Sequence, residues 1–247
     1  IVLLATTFLL IFLQSPNNFY ESKKEVEVTE EIEKDNILFT NPLVGENTVK
    51  MYLPAVDSKG EGVITVLFVE AKEGKGRTLV DIDNLLFWAD TQHSIRVAKK
   101  VAKEITGINL SHYDIIYNIH ANASIIGGES AGAALTVATI AALQNKTLRE
   151  DVMITGTVNH DGSIGPVSGI LAKAKAAKKN KANLFLVPLL QSREIIYETK
   201  RHCEKIGPAE FCTIEQIPKR INISEEANIT VVEVGSVREA LDYFLQH

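Results

Sequence analysis

Apolar and polar positions along the chain follow two different periods. Thr48–Val56 (TVKMYLPAV) and Gly62–Ala71 (GVITVLFVEA) are rich in Val, Ile, Leu and Phe and are separated by Asp57-Ser58-Lys59-Gly60. That arrangement predicts two strands joined by a hairpin-type turn, with Gly74-Lys75-Gly76 as a second turn. From Thr91 to Ile105 apolar residues recur at Ile95, Ala98, Ala102 and Ile105, the spacing of a helix with a lysine-rich outer face. Tyr113–His120 reads as a strand. Ser130–Leu143 is apolar on every side, which predicts a helix with no wet face at the centre of the molecule. Further on, the pattern predicts strands at Val152–Val158, Leu184–Val187 and Ile229–Val234. Helices are predicted at Gly169–Lys181, Ser192–Ile206 and Val237–Leu245. A β-rich first half followed by alternating strands and helices is an α+β fold. No period of 20–50 residues repeats, which excludes a solenoid.

The two ends of the chain differ in character. Ile1–Leu13 carries no charge and only Thr6 and Thr7 are polar. Such a run is shorter than the roughly 20 residues a membrane-spanning helix needs. It has no initiator Met and no basic flank, and reads as a signal-peptide core or an N-terminal anchor, the alternative being a buried core element. No A-x-A pattern follows it, so an uncleaved anchor is expected. Residues 14–36 are dense in charge and read as a spacer, which leaves 37–247 as one globular domain. Of the 247 residues, 45% are hydrophobic and 23% charged, which excludes wholesale disorder. The net charge of −5 provides no basic field for nucleic acid. Two cysteines are too few for a disulfide scaffold or a four-thiolate zinc site, and no metal or other cofactor is expected.

Candidate chemistry centres on Gly127-Gly128-Glu129-Ser130-Ala131-Gly132. Ser130 falls at the first turn of the apolar helix, where unsatisfied backbone N–H groups and the positive end of the dipole suit an oxyanion. The bland reading is an N-cap serine. The same residues satisfy G-x-S-x-G, the elbow of α/β-hydrolases, for which Asp151 or Asp161 followed by His202 would supply the triad order. A lysine is the other means of activating a serine, provided burial keeps it neutral. The helix Gly169–Lys181 holds five lysines. The helical neighbours of Lys173 are Gly169, Ile170, Ala176 and Ala177, all small or apolar, whereas Lys175, Lys178, Lys179 and Lys181 belong to a charged face or end. Lys173 is therefore the inward lysine, unless it snorkels along the helix flank.

Three stretches in order resemble the proteolytic domain of Lon proteases: Gly128-Glu129-Ser130-Ala131-Gly132, then Met153-Ile154-Thr155-Gly156-Thr157-Val158, then Gly162-Ser163-Ile164-Gly165-Pro166-Val167-Ser168-Gly169 with Lys173. The resemblance runs from about residue 47 to the C-terminus and is clearest after residue 115. It implies an α+β Lon-type domain with a Ser–Lys dyad. Ser130 would be the nucleophile, Lys173 the general base and Thr155 the residue that orients the lysine. Gly128, Glu129 and Ser130 would form the oxyanion loop. The separation of 43 positions from Ser130 to Lys173 agrees with the family spacing. Glu129 stands where the family commonly has proline, and Ser168 replaces the first glycine of its turn. The family's strand-borne glutamate aligns with Phe68, with Glu70 two residues on, and His120 aligns with a histidine upstream of the serine. Phe68, Glu70 and His120 are taken as structural.

No G-x-x-x-x-G-K-[ST] phosphate loop occurs in these residues. The chain in this respect resembles the motor-less, membrane-associated Lon-like proteases found mainly among archaea. The resemblance implies an ATP-independent serine endopeptidase that acts on peptides or unfolded proteins and assembles as a homo-oligomer. The alternatives are an esterase of the hydrolase type and a non-catalytic assembly domain. Cys203 and Cys212 flank EKIGPAEF and read either as a local disulfide or as two free buried thiols. With five N-x-[ST] sequons, at Asn109, Asn122, Asn145, Asn222 and Asn228, they favour a membrane-anchored, extracytoplasmic protein, or else a secreted one.

Overall fold

The helix that lacks a wet face organises the molecule. In the computed structural model, which describes residues 48–81, 89–120 and 128–245, that helix is α2 (Gly132–Leu143), and every one of its residues is buried. The predicted anchor and spacer lie outside the described residues. Alanines dominate α2, so neighbouring elements approach its backbone closely on all sides. Its two threonine hydroxyls are satisfied within the helix, Thr136 Oγ1 donating to Gly132 O at 2.7 Å and Thr139 Oγ1 to Leu135 O at 2.6 Å. The buried Tyr117 hydroxyl meets Thr139 Oγ1 at 2.8 Å.

One sheet covers one side of α2. β1 (Thr48–Val56), β2 (Gly62–Glu73), β3 (Thr78–Val80) and β4 (Tyr113–His120) lie in the order β1-β2-β4-β3. Register pairs Met51 with Leu67 and Leu67 with Ile119, so Val49, Met51, Leu67, Val69, Tyr117 and Ile119 all point one way into the main core. α1 (Ala89–Thr106) packs on α2 as the second helical layer. β3, absent from the sequence pattern, runs parallel to β4. The turn before it is held by Asp114, whose carboxylate accepts from the Lys75 and Arg77 backbone N–H groups and from the Arg77 guanidinium. That guanidinium holds the Asp114 carboxyl well below the usual carboxylate range.

The second sheet is parallel: β5 (Val152–Ile154), β8 (Leu184–Pro188) and β11 (Thr230–Val234), in the order β11-β8-β5. β5 and the central β8 are buried on both faces, which is why they read as short continuous apolar runs, whereas the edge strand β11 is partly exposed. Ile154, Leu186 and Val234 join the α2 core. Met153, Phe185 and Val187 face a second core with α3 (Ile170–Lys179) and α4 (Ile223–Ala227). α5 (Val237–Phe244) closes the main core with Phe244. The strand predicted over Val152–Val158 is broken at Thr155-Gly156. Beyond that break, β6 (Thr157–Val158) pairs antiparallel with β7 (Ile164–Gly165).

The predicted helix Ser192–Ile206 is instead a strand. β9 (Arg193–Ile206) pairs antiparallel with β10 (Ala209–Asn222), turning at Gly207 (φ +66°). Most of this hairpin is exposed on both faces, so no buried stripe marks its period, and its charges mimic a solvated helix. Cys203 and Cys212 face each other in the register and are joined by a disulfide, both exposed rather than buried as free thiols. Only the base is anchored: Ile196 and Ile221 pack into the second core. A two-stranded ribbon in water is marginal without such help. Reducing Cys203–Cys212 is therefore expected to speed amide hydrogen exchange over residues 199–216 by about tenfold or more, with little change in the thermal midpoint of the body. A matching fall in that midpoint would show instead that the hairpin braces the core.

Candidate functional site

Ser130 is positioned by contacts on both sides of its turn. Gly128 lies against Thr91 at the start of α1, where a Cβ would collide with the Thr91 backbone and hydroxyl. A 3₁₀ turn over Glu129–Ala131 follows and leads directly into α2. The N-cap positions are Gly128 and Ala131, so Ser130 is not a cap, and among the described residues its side chain forms no hydrogen bond. It is half-buried. A turn of this kind leaves its first N–H groups, those of Glu129 and Ser130, without partners inside the turn.

On the other side lies the break after β5. Gly156 grips the Ser130 turn with both of its backbone polar groups: its N–H donates to Ser130 O at 3.0 Å, and its carbonyl accepts from Ala133 N at 2.9 Å. Thr155 precedes it and is fully buried, its N–H held by Leu186 O at 3.1 Å. The Thr155 hydroxyl donates to Ser130 O at 3.3 Å and accepts from Lys173 Nζ at 3.2 Å. One hydroxyl thus joins the serine turn to the inward lysine.

α3 delivers that lysine. It begins after Gly169, whose φ of +68° lies in the left-handed region, and whose missing side chain leaves room for Val56 Cγ2. Lys173 N–H bonds Gly169 O in the first turn. Its side chain is 3% exposed, while Lys175, Lys178, Lys179 and Lys181 are exposed, as the helical spacing requires. Among the described residues Lys173 has no carboxylate in ion-pair contact. Burial alone lowers its amine from 10.5 to about 8.

The loop entering α3 is fixed by a residue that the sequence pattern did not single out. The Gln191 carboxamide accepts from Val167 N at 2.9 Å and donates to Val167 O at 2.7 Å. Gly156, legible only as part of a Thr-Gly pair, is the other. A cavity of about 360 Å³ between Gly60–Gly62 and the outer face of α3 holds none of Ser130, Thr155 or Lys173.

The hydrolase-type triad is not assembled. Asp151 is bound by the Arg149 guanidinium and the Asn183 carboxamide. Asp161 caps its own turn through Ser163, and His202 sits beside Glu204 on the exposed hairpin. His120 packs edge-on against Phe68 at 5.6 Å, and its buried Nε2 has no partner among the described residues. In the same set the one convergence of potential metal ligands is Cys203, Glu210 and Cys212, and both sulfurs are spent in the disulfide. No helix of the described residues is long and apolar enough to cross a membrane.

Comparison with known proteins places the chain in a family by sequence. The chain is 32% identical over 117 residues to the archaeal Lon protease of Thermoplasma acidophilum, covering 47% of this chain and 18% of that one. It is 27% identical over 156 residues to the archaeal Lon protease of Methanocaldococcus jannaschii, covering 58% and 23%. To the Lon protease of Phenylobacterium zucineum it is 31% identical over 149 residues, covering 57% and 19%. These matches span about a fifth of each relative's length. Residues 64–240, which include Ser130, Thr155 and Lys173, match the Lon protease (S16) C-terminal proteolytic domain, and the chain belongs to that family.

Proposed function

We propose that this chain is a serine endopeptidase that uses Ser130 and Lys173 as a dyad to cleave peptides or unfolded proteins without ATP. The observation that carries the reading is the buried Thr155 hydroxyl, bonded to Lys173 Nζ and to the Ser130 carbonyl at once. Because Thr155 gives its proton to that carbonyl, it offers Lys173 only a lone pair. A neutral Lys173 satisfies it with one N–H and keeps its own lone pair for the Ser130 proton. Ser130 Oγ then attacks the peptide carbonyl, and the free N–H groups of the Gly128–Ser130 loop stabilise the oxyanion. Lys173 returns the proton to the leaving amine, and water hydrolyses the acyl-enzyme by the same path.

Substrate access, in this reading, is limited to chains already extended, in keeping with the lack of a phosphate-loop motif among these 247 residues. The exposed disulfide supports an extracytoplasmic setting. Anchoring through residues 1–13 and assembly into homo-oligomers complete the proposal. Glu129, exposed and adjacent to the nucleophile, presents its backbone to the reaction and its carboxylate to solvent.

Hydrolysis of casein by the full chain tests the dyad. Ser130→Ala and Lys173→Ala are expected to lower kcat by at least about a thousandfold, and Thr155→Val by about tenfold or more, while His202→Ala is without effect and ATP changes nothing. Loss in His202→Ala with Lys173→Ala still active would overturn the dyad.

Lys173 also sets two pH dependences. kcat/KM is expected to rise with pH and reach half its limit near pH 8, where the amine loses its proton. A profile still climbing at pH 10 would contradict a neutral, buried base. Stability follows the same group. Its amine is lowered in the folded protein from 10.5 to about 8, so the unfolded chain binds more protons between those values, and stability rises with pH across that window. Lys173→Met is accordingly expected to stabilise the inactive protein at pH 7 by about 1–3 kcal/mol in denaturant titrations, with the gain fading towards pH 10.

A further inference from the structure

We propose that the corner Leu189-Leu190 is a substrate-binding ledge that receives an apolar side chain of an extended peptide lying beside Ser130 and Lys173. The inference rests on the peptidase reading and adds to it a specificity-determining element. Leu190 is 89% exposed and Leu189 56%, adjacent leucines turned to water just after the buried end of β8. Leu190 also has φ of +65°. Among the described residues the other non-glycine positions with positive φ are Asn145, Lys181 and Asn228. Those three terminate α2, α3 and α4, where a left-handed residue is ordinary. Leu190 terminates no helix, and a branched apolar side chain is the wrong choice for that conformation on intrinsic grounds.

The surroundings hold the corner firmly in this unfavourable form. Glu233 on β11 spreads its carboxylate across the turn, Oε2 accepting from Leu190 N and Oε1 from Ser192 N, each at 2.9 Å. The Ser192 hydroxyl, and after it those N–H groups, lower the Glu233 carboxyl below its ordinary value. Gln191 N–H returns to Pro188 O at 3.2 Å, while its side chain makes the two-point bond to Val167. Leu189 lies against Gly235, where a Cβ would come within 3.0 Å of Leu189 Cδ1. Strain that is over-determined by its neighbours clusters at functional sites. Here its visible result is that Leu190 projects into solvent.

The location connects the corner to both limbs of the site. Pro188, which precedes it, packs beside Gly156, the residue whose backbone grips the Ser130 turn. Leu190 is two residues further on, so its Cα is within about 7 Å of the Pro188 Cα. Val167, bonded to Gln191, belongs to the loop that enters the Lys173 helix. A chain extended past Ser130 therefore passes within reach of two firmly held, exposed leucines. A ligand matched to them is an aliphatic or aromatic side chain, the kind an unfolded protein exposes and a folded one hides.

Because the leucines are exposed, they can be changed without opening a cavity. Leu190→Gly and Leu190→Asn both accept positive φ and remove the apolar surface, whereas Leu190→Met keeps it. With the full chain and unfolded casein as substrate, the glycine and asparagine variants are expected to raise KM about fivefold or more with kcat within about twofold, and to keep or raise the thermal midpoint. Leu190→Met is expected to stay near the parent in KM. In the Ser130→Ala background, Leu190→Gly is expected to weaken binding of a fluorescein-labelled casein fragment by the same factor. That binding arm tests the ledge even if the parent hydrolyses nothing, an outcome that would instead overturn the dyad. Unchanged KM and unchanged casein affinity in the glycine and asparagine variants would overturn the ledge.

Discussion

An amine enclosed by apolar side chains cannot keep both its charge and its place, and much of this structure is arranged around that constraint. Lys173 enters the interior on the inward face of α3, between Ala176 and Ala177 on one side and Gly169 on the other, with Thr155 as its hydrogen-bond partner. A carboxylate in ion-pair contact would make the charged form comfortable and the base useless. The hydroxyl satisfies the nitrogen but favours the charged form far less than a carboxylate would, and burial then decides. The catalytic reading of the domain depends on this choice of partner more than on the serine itself.

The serine is placed by backbone rather than by side chains. Ser130 is held through its own carbonyl, through the backbone of Gly156, and through the fit of Gly128 against α1. Among the described residues its hydroxyl consequently makes no hydrogen bond. This division is possible because α2 is buried along its full length, so the turn at its start cannot drift relative to the parallel sheet that supplies Thr155. Rigid packing thus gives two residues far apart in the chain a fixed separation, as a preorganised site requires.

Elements that bury one face were legible in the sequence, and so was the one inward lysine of α3. The strands at Thr48–Val56 and Tyr113–His120 and the helix over α2 carry their period openly, and the neighbours of Lys173 at helical spacing distinguish it from Lys175. The misread element is β9, where the strand's partner begins sixteen residues after its start, and water covers both faces. Periodicity reports contact with a core, and β9 has almost none. β3 is too short to carry a period and forms only because Asp114 organises the turn before it. Gly156 was visible as a motif residue, but its double grip exists only in three dimensions. Gln191 carried no signal at all, since a carboxamide pairing with a distant peptide unit leaves no trace in spacing.

The β9–β10 hairpin leaves and rejoins the body at one point. Arg193 and Asn222 are paired in its register, so the two ends of a thirty-residue excursion lie about 5 Å apart. β8 and β11, which the excursion links, are neighbours in the parallel sheet and are aligned by their own hydrogen bonds. Beyond its base, where Glu194, Ile196 and Ile221 touch the α3 side of the body, the hairpin is topologically an appendage rather than a brace: its length and tip can vary while the sheet and α2 stay as they are. Related chains are free to diverge most at this site, and a foreign segment grafted there would be carried by a domain that does not sense it.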